Sequence, residues 1–239
     1  LDGPENPLGP DLVRDLGSAH RVDIAVAFVF PAGVDRIYSR LADCLDRGGR
    51  VRVVTGDYGD ASEPAALRRL LDLKDISADR TTLRIFETRN SGTFHPKAYI
   101  ISSGDDDRPA LAYVGSSNLS AAALVEGVEW NVRVTDSSGL AQTAHAFDTL
   151  LTHPAVRELD HAWVDAYAAR RQLRDRPPPL AADPPEPPRA SPQPHAIQRE
   201  ALAALDATRA AGNRAWLVVL ATGLGKTWLS AFDSASSPR

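Results

Sequence analysis

The apolar positions of this chain fall into short continuous runs that alternate with longer stretches of helical spacing. Arg21 to Phe30 (RVDIAVAFVF) is β-branched and nearly all apolar, as expected of a strand buried on both faces. Gly33 to Arg47 places Val34, Ile37, Leu41, Cys44 and Leu45 on one helical face and stops at Gly48-Gly49. Val51 to Thr55 predicts a second strand, Ser62 to Leu73 a helix with Ser62 as its N-cap, and Leu83 to Glu87 a third strand. A short helix over Asp11 to Ala19 precedes them, after a Gly- and Pro-rich lead-in. Two further apolar runs start at His95 and Ala110 and are joined by Gly104 to Pro109, which predicts two neighbouring strands. A helix from about Ser120, a strand over Val128 to Thr135, and amphipathic helices over Leu140 to Leu151 and Pro154 to Arg174 complete this part. The alternation implies an α/β sheet covered by helices.

From Arg176 to Pro194 the pattern stops. Nine of the 18 prolines fall there with almost no large apolar residue, so the stretch cannot build a packed core. The expected organisation is a domain over 1–176, a linker over 177–193, and the start of a second domain over 194–239. In that last part Pro194 to Leu205 predicts a helix, Trp216 to Leu220 a strand, and Ala221 to Thr227 (ATGLGKT) a P-loop opening a helix. A glycine turn of this kind points backbone N–H groups at nucleotide phosphates. Thr222, Gly223 and Gly225 would form the turn, Lys226 would reach the phosphate oxygens, and Thr227 would ligate Mg²⁺ delivered with ATP.

Composition narrows the class. A hydrophobic share of 43% and a charged share of 24% describe a soluble globular protein. The formal charge of −4 excludes an argument for nucleic-acid binding from net charge, so any such contact needs a local patch. Arg68-Arg69, Arg84, Arg89 and Arg170-Arg171 could provide one or could be solvated faces. No apolar run approaches the ~20 residues of a membrane span, so no membrane partner is expected. The single Cys44 belongs to a helical core pattern, excludes an internal disulfide and fits a cytoplasmic location. The absence of Met reads as a fragment of a longer product. His20, His145, His153 and His161 lack metal-ligand spacing and read as surface or packing residues.

The candidate chemistry lies between Thr93 and Trp130. His95 and Lys97 are two apart and share one face of a strand, with Tyr99 continuing it and Ala98 and Ile100 on the other. The next run ends in Gly115-Ser116-Ser117-Asn118, and Glu129 comes eleven residues later. A phosphate at this end of two strands would meet the Lys97 ammonium, donors from Ser116 and Asn118, and the N–H groups of the following helix start. His95 would be a nucleophile that works at neutral pH without a metal. Taken singly, each residue also has a plain reading: an exposed His, a solvated Lys, an outward strand carboxylate. Of 27 Lys and Arg only three are Lys, and Lys97 and Lys226 both sit where a compact ammonium suits phosphate. Asp57 follows a strand, where open α/β sheets carry site residues, but beside Gly56 it reads equally as a turn residue.

His-x-Lys followed by Gly-Ser-x-Asn and a Glu eleven residues on resembles the phospholipase D superfamily of phosphodiesterases. The resemblance implies a mixed sheet flanked by helices. It implies a covalent phospho-histidine at His95, phosphate held by Lys97, Ser116 and Asn118, and Glu129 orienting the imidazole. No cofactor is implied for this chemistry. The superfamily motif has an Asp five residues after the Lys, where this chain has Ser102, which weakens a lipase reading more than a nuclease one. Only one His-x-Lys serves the site, so the resemblance implies a homodimer sharing a composite site. TGDY at Thr55 to Tyr58 with PAALRRLLDL at Pro64 to Leu73 resembles bacterial helicases that carry such a domain ahead of the motor. ATGLGKT with Gln198 about two dozen residues upstream resembles superfamily-two helicases, in which Gln198 would read the adenine edge; on the residues alone it is equally a surface Gln on a helix. The expected function is a metal-independent nuclease of DNA (or RNA) joined to the first βα unit of an ATP-dependent helicase. The alternative is an inactive module that grips DNA for the motor. Without a second motor lobe this stretch alone is not expected to hydrolyse ATP efficiently.

Overall fold

A computed structural model describes residues 3, 5–89, 91–104, 109–172, 193–213, 215, 217, 218 and 226–236. The chain divides into two compact units, Leu1–Pro185 and Glu186–Arg239. The first runs α1 (Leu8–Leu16), β1 (Arg21–Val26), α2 (Pro31–Asp46), β2 (Arg50–Gly56), α3 (Pro64–Leu71), α4 (Leu73–Ile76) and β3 (Thr81–Phe86). It continues through β4 (Lys97–Ser102), β5 (Leu111–Gly115), β6 (Asn131–Val134), α5 (Ser137–Leu151), β7 (Val156–Glu158) and α6 (His161–Gln172). The sheet has seven strands in the order β6-β5-β4-β1-β2-β3-β7. β1, β2 and β3 are parallel, while β4, β5, β6 and β7 join antiparallel to their neighbours. The fold is thus a mixed α/β sheet flanked by helices.

Strand periodicity decides the two faces. Val22, Ile24, Val26, Val51, Val53, Leu83, Ile85, Tyr99, Ile101 and Tyr113 point one way and pack against α1 to α4 and α6. Ala25, Val54, Phe86, Ile100 and Ala112 point the other way and meet Leu140 and Phe147 of α5. Each large side chain buried this way contributes about 1.5–3 kcal/mol. Asp23, the carboxylate within β1, is tolerated because Arg52 of the paired strand donates to both its oxygens at 2.6 Å.

Several boundaries differ from the sequence expectation. The run Arg21 to Phe30 leaves the sheet after Val26. Its later backbone groups bind elsewhere: Phe30 N–H to the carbonyl of Leu119 and Val29 N–H to the hydroxyl of Ser62. Ser62 is accordingly not the cap of α3; its hydroxyl donates to the Gly56 carbonyl at 2.9 Å, and α3 starts at Pro64 without a side-chain cap. No regular helix starts at Ser120; Ala122–Glu126 is one wide π turn, and the Ala123 N–H is taken by the Ser120 hydroxyl. The expected helix Pro154 to Arg174 splits. Val156–Glu158 forms the edge strand β7 on β3, and Asp160 restarts the chain as α6 by accepting the Trp163 N–H at 2.7 Å.

In the second unit, α7 (Ala196–Ala210) starts with His195 and Gln198 capping each other, and Arg209 reaches Asp233 of α8 (Lys226–Ser236) at 2.6 Å. The expected linker 177–193 up to residue 192, most of the expected strand Trp216 to Leu220, and Thr222, Gly223 and Gly225 lie outside the described residues, as do the side chains of Lys226 and Thr227. Among the described residues no helix is long and apolar enough to cross a membrane.

Candidate active site

The C-terminal ends of β1, β2 and β5 and the start of β4 lie at one end of the sheet, because β4 runs antiparallel to β1 with Lys97 opposite Val26. Lys97 opens β4. His95 lies two residues before it, outside the strand, because Pro96 has no N–H to give a ladder. The expected shared face survives this shift. The Lys97 ammonium stands 2.5 Å from His95 Nδ1 and 3.3 Å from Nε2, and it also meets the His95 carbonyl at 3.3 Å. An ammonium has only protons to offer, so in this contact the imidazole nitrogen is the accepting partner. Lys97 is buried while His95 is exposed. The ammonium is therefore walled in by protein, and the imidazole faces solvent.

The His95 ring has two aromatic neighbours. Phe28 lies 6.1 Å away between centroids and Tyr58 6.4 Å, both edge-on. Phe28 comes from the segment that leaves β1, and Tyr58 from the turn after β2. The same segment reaches the Gly115–Asn118 loop, since Phe28 N–H donates to Asn118 Oδ1 at 3.3 Å. This bond fixes the carbonyl end of the buried Asn118 amide and leaves its NH₂ as a donor for an anion.

The loop is held from below. Tyr99 donates its hydroxyl to the Ser117 carbonyl at 3.1 Å, and burial, then the Glu129 charge, pushes this phenol far above its ordinary range. Asn131 Nδ2 donates to Ser117 Oγ at 2.8 Å, and Ser117 in turn donates to the Ala123 carbonyl at 3.1 Å. Gly115 is required here: a Cβ would stand 2.1 Å from the Trp130 carbonyl oxygen. Ser116 is exposed; its hydroxyl donates to the Glu129 carboxylate and accepts the Trp130 N–H at 2.9 Å. Glu129 itself precedes β6 instead of lying within it, and its described hydrogen bond goes to Ser116.

Sequence reasoning therefore identified residues that the fold gathers in two clusters: His95 with Lys97, and Ser116 with Glu129, with Asn118 tied to the segment that walls the first. It missed Asn131, Phe28 and Tyr99 as supports. Neither Asn131 nor Phe28 had a local signal: Asn131 lies inside the expected strand Val128 to Thr135, and a backbone N–H mediates the Phe28 contact. Asp57 is resolved as structural: its Oδ1 accepts both the N–H and the hydroxyl of Thr88, at 2.7 and 2.8 Å, and Arg170 binds its other oxygen at 3.1 Å. Arg170 is thereby an ion-pair residue, and Arg68 likewise pairs with Asp165 at 2.8 Å. His153 caps the turn before β7 and packs on Phe86, consistent with a packing role. Gln198 accepts the His195 N–H at 3.1 Å, so its carbonyl end helps to start α7.

The family described as "Cardiolipin synthase, PLD-like domain" matches residues 12–151, and "Type III restriction enzyme, res subunit" matches residues 191–237. No curated protein matches. Among solved structures, the phospholipase D family member Nuc from Salmonella typhimurium aligns with a TM-score of 0.51 at 18% identity, covering 65% of this chain and 92% of that one. NucT from Helicobacter pylori aligns with a TM-score of 0.48 at 17% identity, covering 62% of this chain and 89% of that one. The match over residues 12–151 takes in more than half of the 239 residues and every one of His95, Lys97, Ser116, Asn118 and Glu129, so the chain belongs to the PLD-like domain family.

Proposed function

We propose that the first unit is a metal-independent phosphodiesterase acting on nucleic acid, DNA in the first instance, through a phospho-histidine at His95. The observation that carries the reading is the pairing of an exposed imidazole with a buried ammonium 2.5 Å away. An incoming phosphodiester competes for that ammonium, and the imidazole is left with a bare nitrogen beside an electrophilic phosphorus. The nitrogen attacks, and the P–O bond to the leaving sugar oxygen breaks. Lys97, the Asn118 NH₂ and the Ser116 hydroxyl stabilise the charge gathering on the equatorial oxygens. The leaving oxygen needs a proton from the opposite side. A second His95, from a symmetry copy, supplies it, then takes a proton from the water that breaks the N–P bond. The active species is therefore a homodimer with one composite site.

Ser102 in place of the family's Asp bears on the alternative, an inactive gripping module. It sits at the other end of β4, paired with Arg21, roughly 17 Å along the strand from Lys97 at ~3.3 Å per residue. Its exchange removes nothing from the neighbourhood of His95, which favours the enzyme.

For the second unit we infer the beginning of an ATP-dependent helicase motor, supported by the P-loop sequence and by the restriction-enzyme res match over 191–237. Thr222, Gly223, Gly225, Lys226 and Thr227 would hold ATP and its Mg²⁺, with Gln198 at the adenine.

Incubating the purified chain with single- and double-stranded DNA in EDTA, beside His95→Ala, tests the first reading. Cleavage that persists in EDTA and vanishes in the variant supports it. DNA binding without cleavage in either protein would replace it with the gripping module. Sedimentation showing only monomer under cleaving conditions would refute the shared site.

A further inference from the structure

One cluster of buried charge plays no part in the chemistry above. After β2 the chain makes a tight turn, Tyr58–Asp60, in which Gly59 has φ 61° and Asp60 φ 54°. The left-handed region suits Gly but is costly for a residue with a Cβ, so Asp60 must be held there by its surroundings. The holding group is Arg170 in the last turn of α6. Its Nη2 donates to Asp57 Oδ2 at 3.1 Å and to Asp60 Oδ1 at 2.9 Å, and its Nε reaches Asp60 Oδ1 at 3.2 Å. Arg171 adds a bond from Nε to the Asp60 carbonyl at 3.1 Å. Asp57 and Asp60 are 4% and 3% exposed, so this guanidinium fork works in a dry setting, where it is strongest. Between the two anchored acids stands Tyr58, whose ring meets the His95 ring edge-on.

We propose that Arg170 is a positioning residue for His95. By gripping Asp57 and Asp60 it fixes Tyr58, and Tyr58 with Phe28 limits the tilt of the imidazole. The inference rests on His95 being the nucleophile. It also accounts for the TGDY segment, in which Gly56 ends the strand, Asp57 anchors, and Tyr58 is the part that touches the site.

The test uses the full chain with Arg170→Ala, Arg170→Lys, Tyr58→Leu and the double variant Arg170→Ala/Tyr58→Leu. The His95 imidazole signal, assigned by its loss in His95→Ala, is followed by ¹H–¹⁵N NMR beside steady-state cleavage. Arg170→Ala and Tyr58→Leu are each expected to move or broaden that signal and to lower kcat about tenfold, with KM within twofold because Lys97, Ser116 and Asn118 are untouched. The double variant should lose no more than the worse single. Arg170→Lys, a point charge that cannot fork between two carboxylates, should recover only part of kcat. An unmoved imidazole signal in Tyr58→Leu, which leaves every ion pair intact, or multiplicative losses in the double variant, would overturn the proposal. If the unaltered chain cleaves nothing, the phosphodiesterase reading fails, and the imidazole signal still decides whether Arg170 positions the ring.

Discussion

The Ser116 hydroxyl gives its proton to the Glu129 carboxylate while accepting the Trp130 N–H at 2.9 Å. The loop after β5 is thereby tied to the lead-in of β6, and a phosphate that wants the Ser116 proton has to win it from Glu129. The two residues thus act as one unit. Ser116→Ala and Glu129→Gln should each lower the single-turnover cleavage rate about 10- to 100-fold, and the double variant should be no slower than the slower single. Rates equal to the product of the two losses would show that Glu129 works elsewhere, for instance on the His95 ring directly.

Lys97 is a buried cation beside the His95 ring. Its ammonium meets the His95 ring while 8% exposed, and a guanidinium is larger and planar where this ammonium is a compact point charge. Lys97→Arg should therefore lower kcat/KM at least about 100-fold in spite of keeping the charge, and Lys97→Ala at least about 1000-fold. Cleavage of a short oligonucleotide in EDTA measures both. An Arg variant within a few-fold of the native rate would mean that charge alone, and not its compact placement, is what the site uses.

What was legible in the sequence, and what was not, follows from how far each signal reaches. Alternation put Tyr99 on one face of β4 and Ile100 on the other, as observed, because burial on a sheet has a period of two. It failed at Ala27 to Phe30, whose side chains are as apolar as the strand before them; only the backbone partners Asn118, Ser62 and Leu119 distinguish the two, and they lie far along the chain. It failed again at β7, since three residues are too few to show alternation inside an apparent helix. The spacing of His95, Lys97, Ser116 and Asn118 was readable because the paired strands β4 and β5 bring these residues to one end of the sheet. The link from Arg170 to Asp57 spans 113 residues, and no local pattern encodes it.

Gly115 can be tested as a purely steric requirement. An added Cβ would stand 2.1 Å from the Trp130 oxygen and 2.6 Å from the Asn131 Cα, both backbone atoms that cannot swing aside. Gly115→Ala should destabilise the first unit by about 2–3 kcal/mol, in the range of overpacking, and displace Ser116 from Glu129. Urea unfolding gives the first number, and cleavage under conditions where the variant remains folded gives the second. Native stability would mean that β5 and β6 separate freely at this point.

Tyr113 and Asp15 join α1 to the sheet through a bond whose pH dependence can be signed from both ends. The buried Tyr113 hydroxyl donates to Asp15 Oδ2 at 2.5 Å, with Arg14 and Arg133 at 3.0 and 3.4 Å from the same carboxylate. Burial, and then the adjacent Asp15, push the phenol up to about 12 from 10.0. Burial alone would raise the Asp15 carboxyl, but the Tyr113 and Arg14 hydrogen bonds outweigh it and hold it below its ordinary 3.8. A raised phenol means that the folded state holds the proton more tightly, so its contribution is whole below pH 10.0 and is lost as pH rises towards about 12. A depressed carboxyl gives the mirror case, whole above 3.8 and lost as pH falls below it. Tyr113→Phe should cost about 1.5–3 kcal/mol at neutral pH, the scale of a hydrogen bond to a charged group. It should also flatten the alkaline decline relative to the native chain, because the group that titrates is gone. Urea midpoints measured from pH 7 upward compare the two proteins, and curves that stay parallel through the alkaline range would show that this phenol does not link α1 to the sheet.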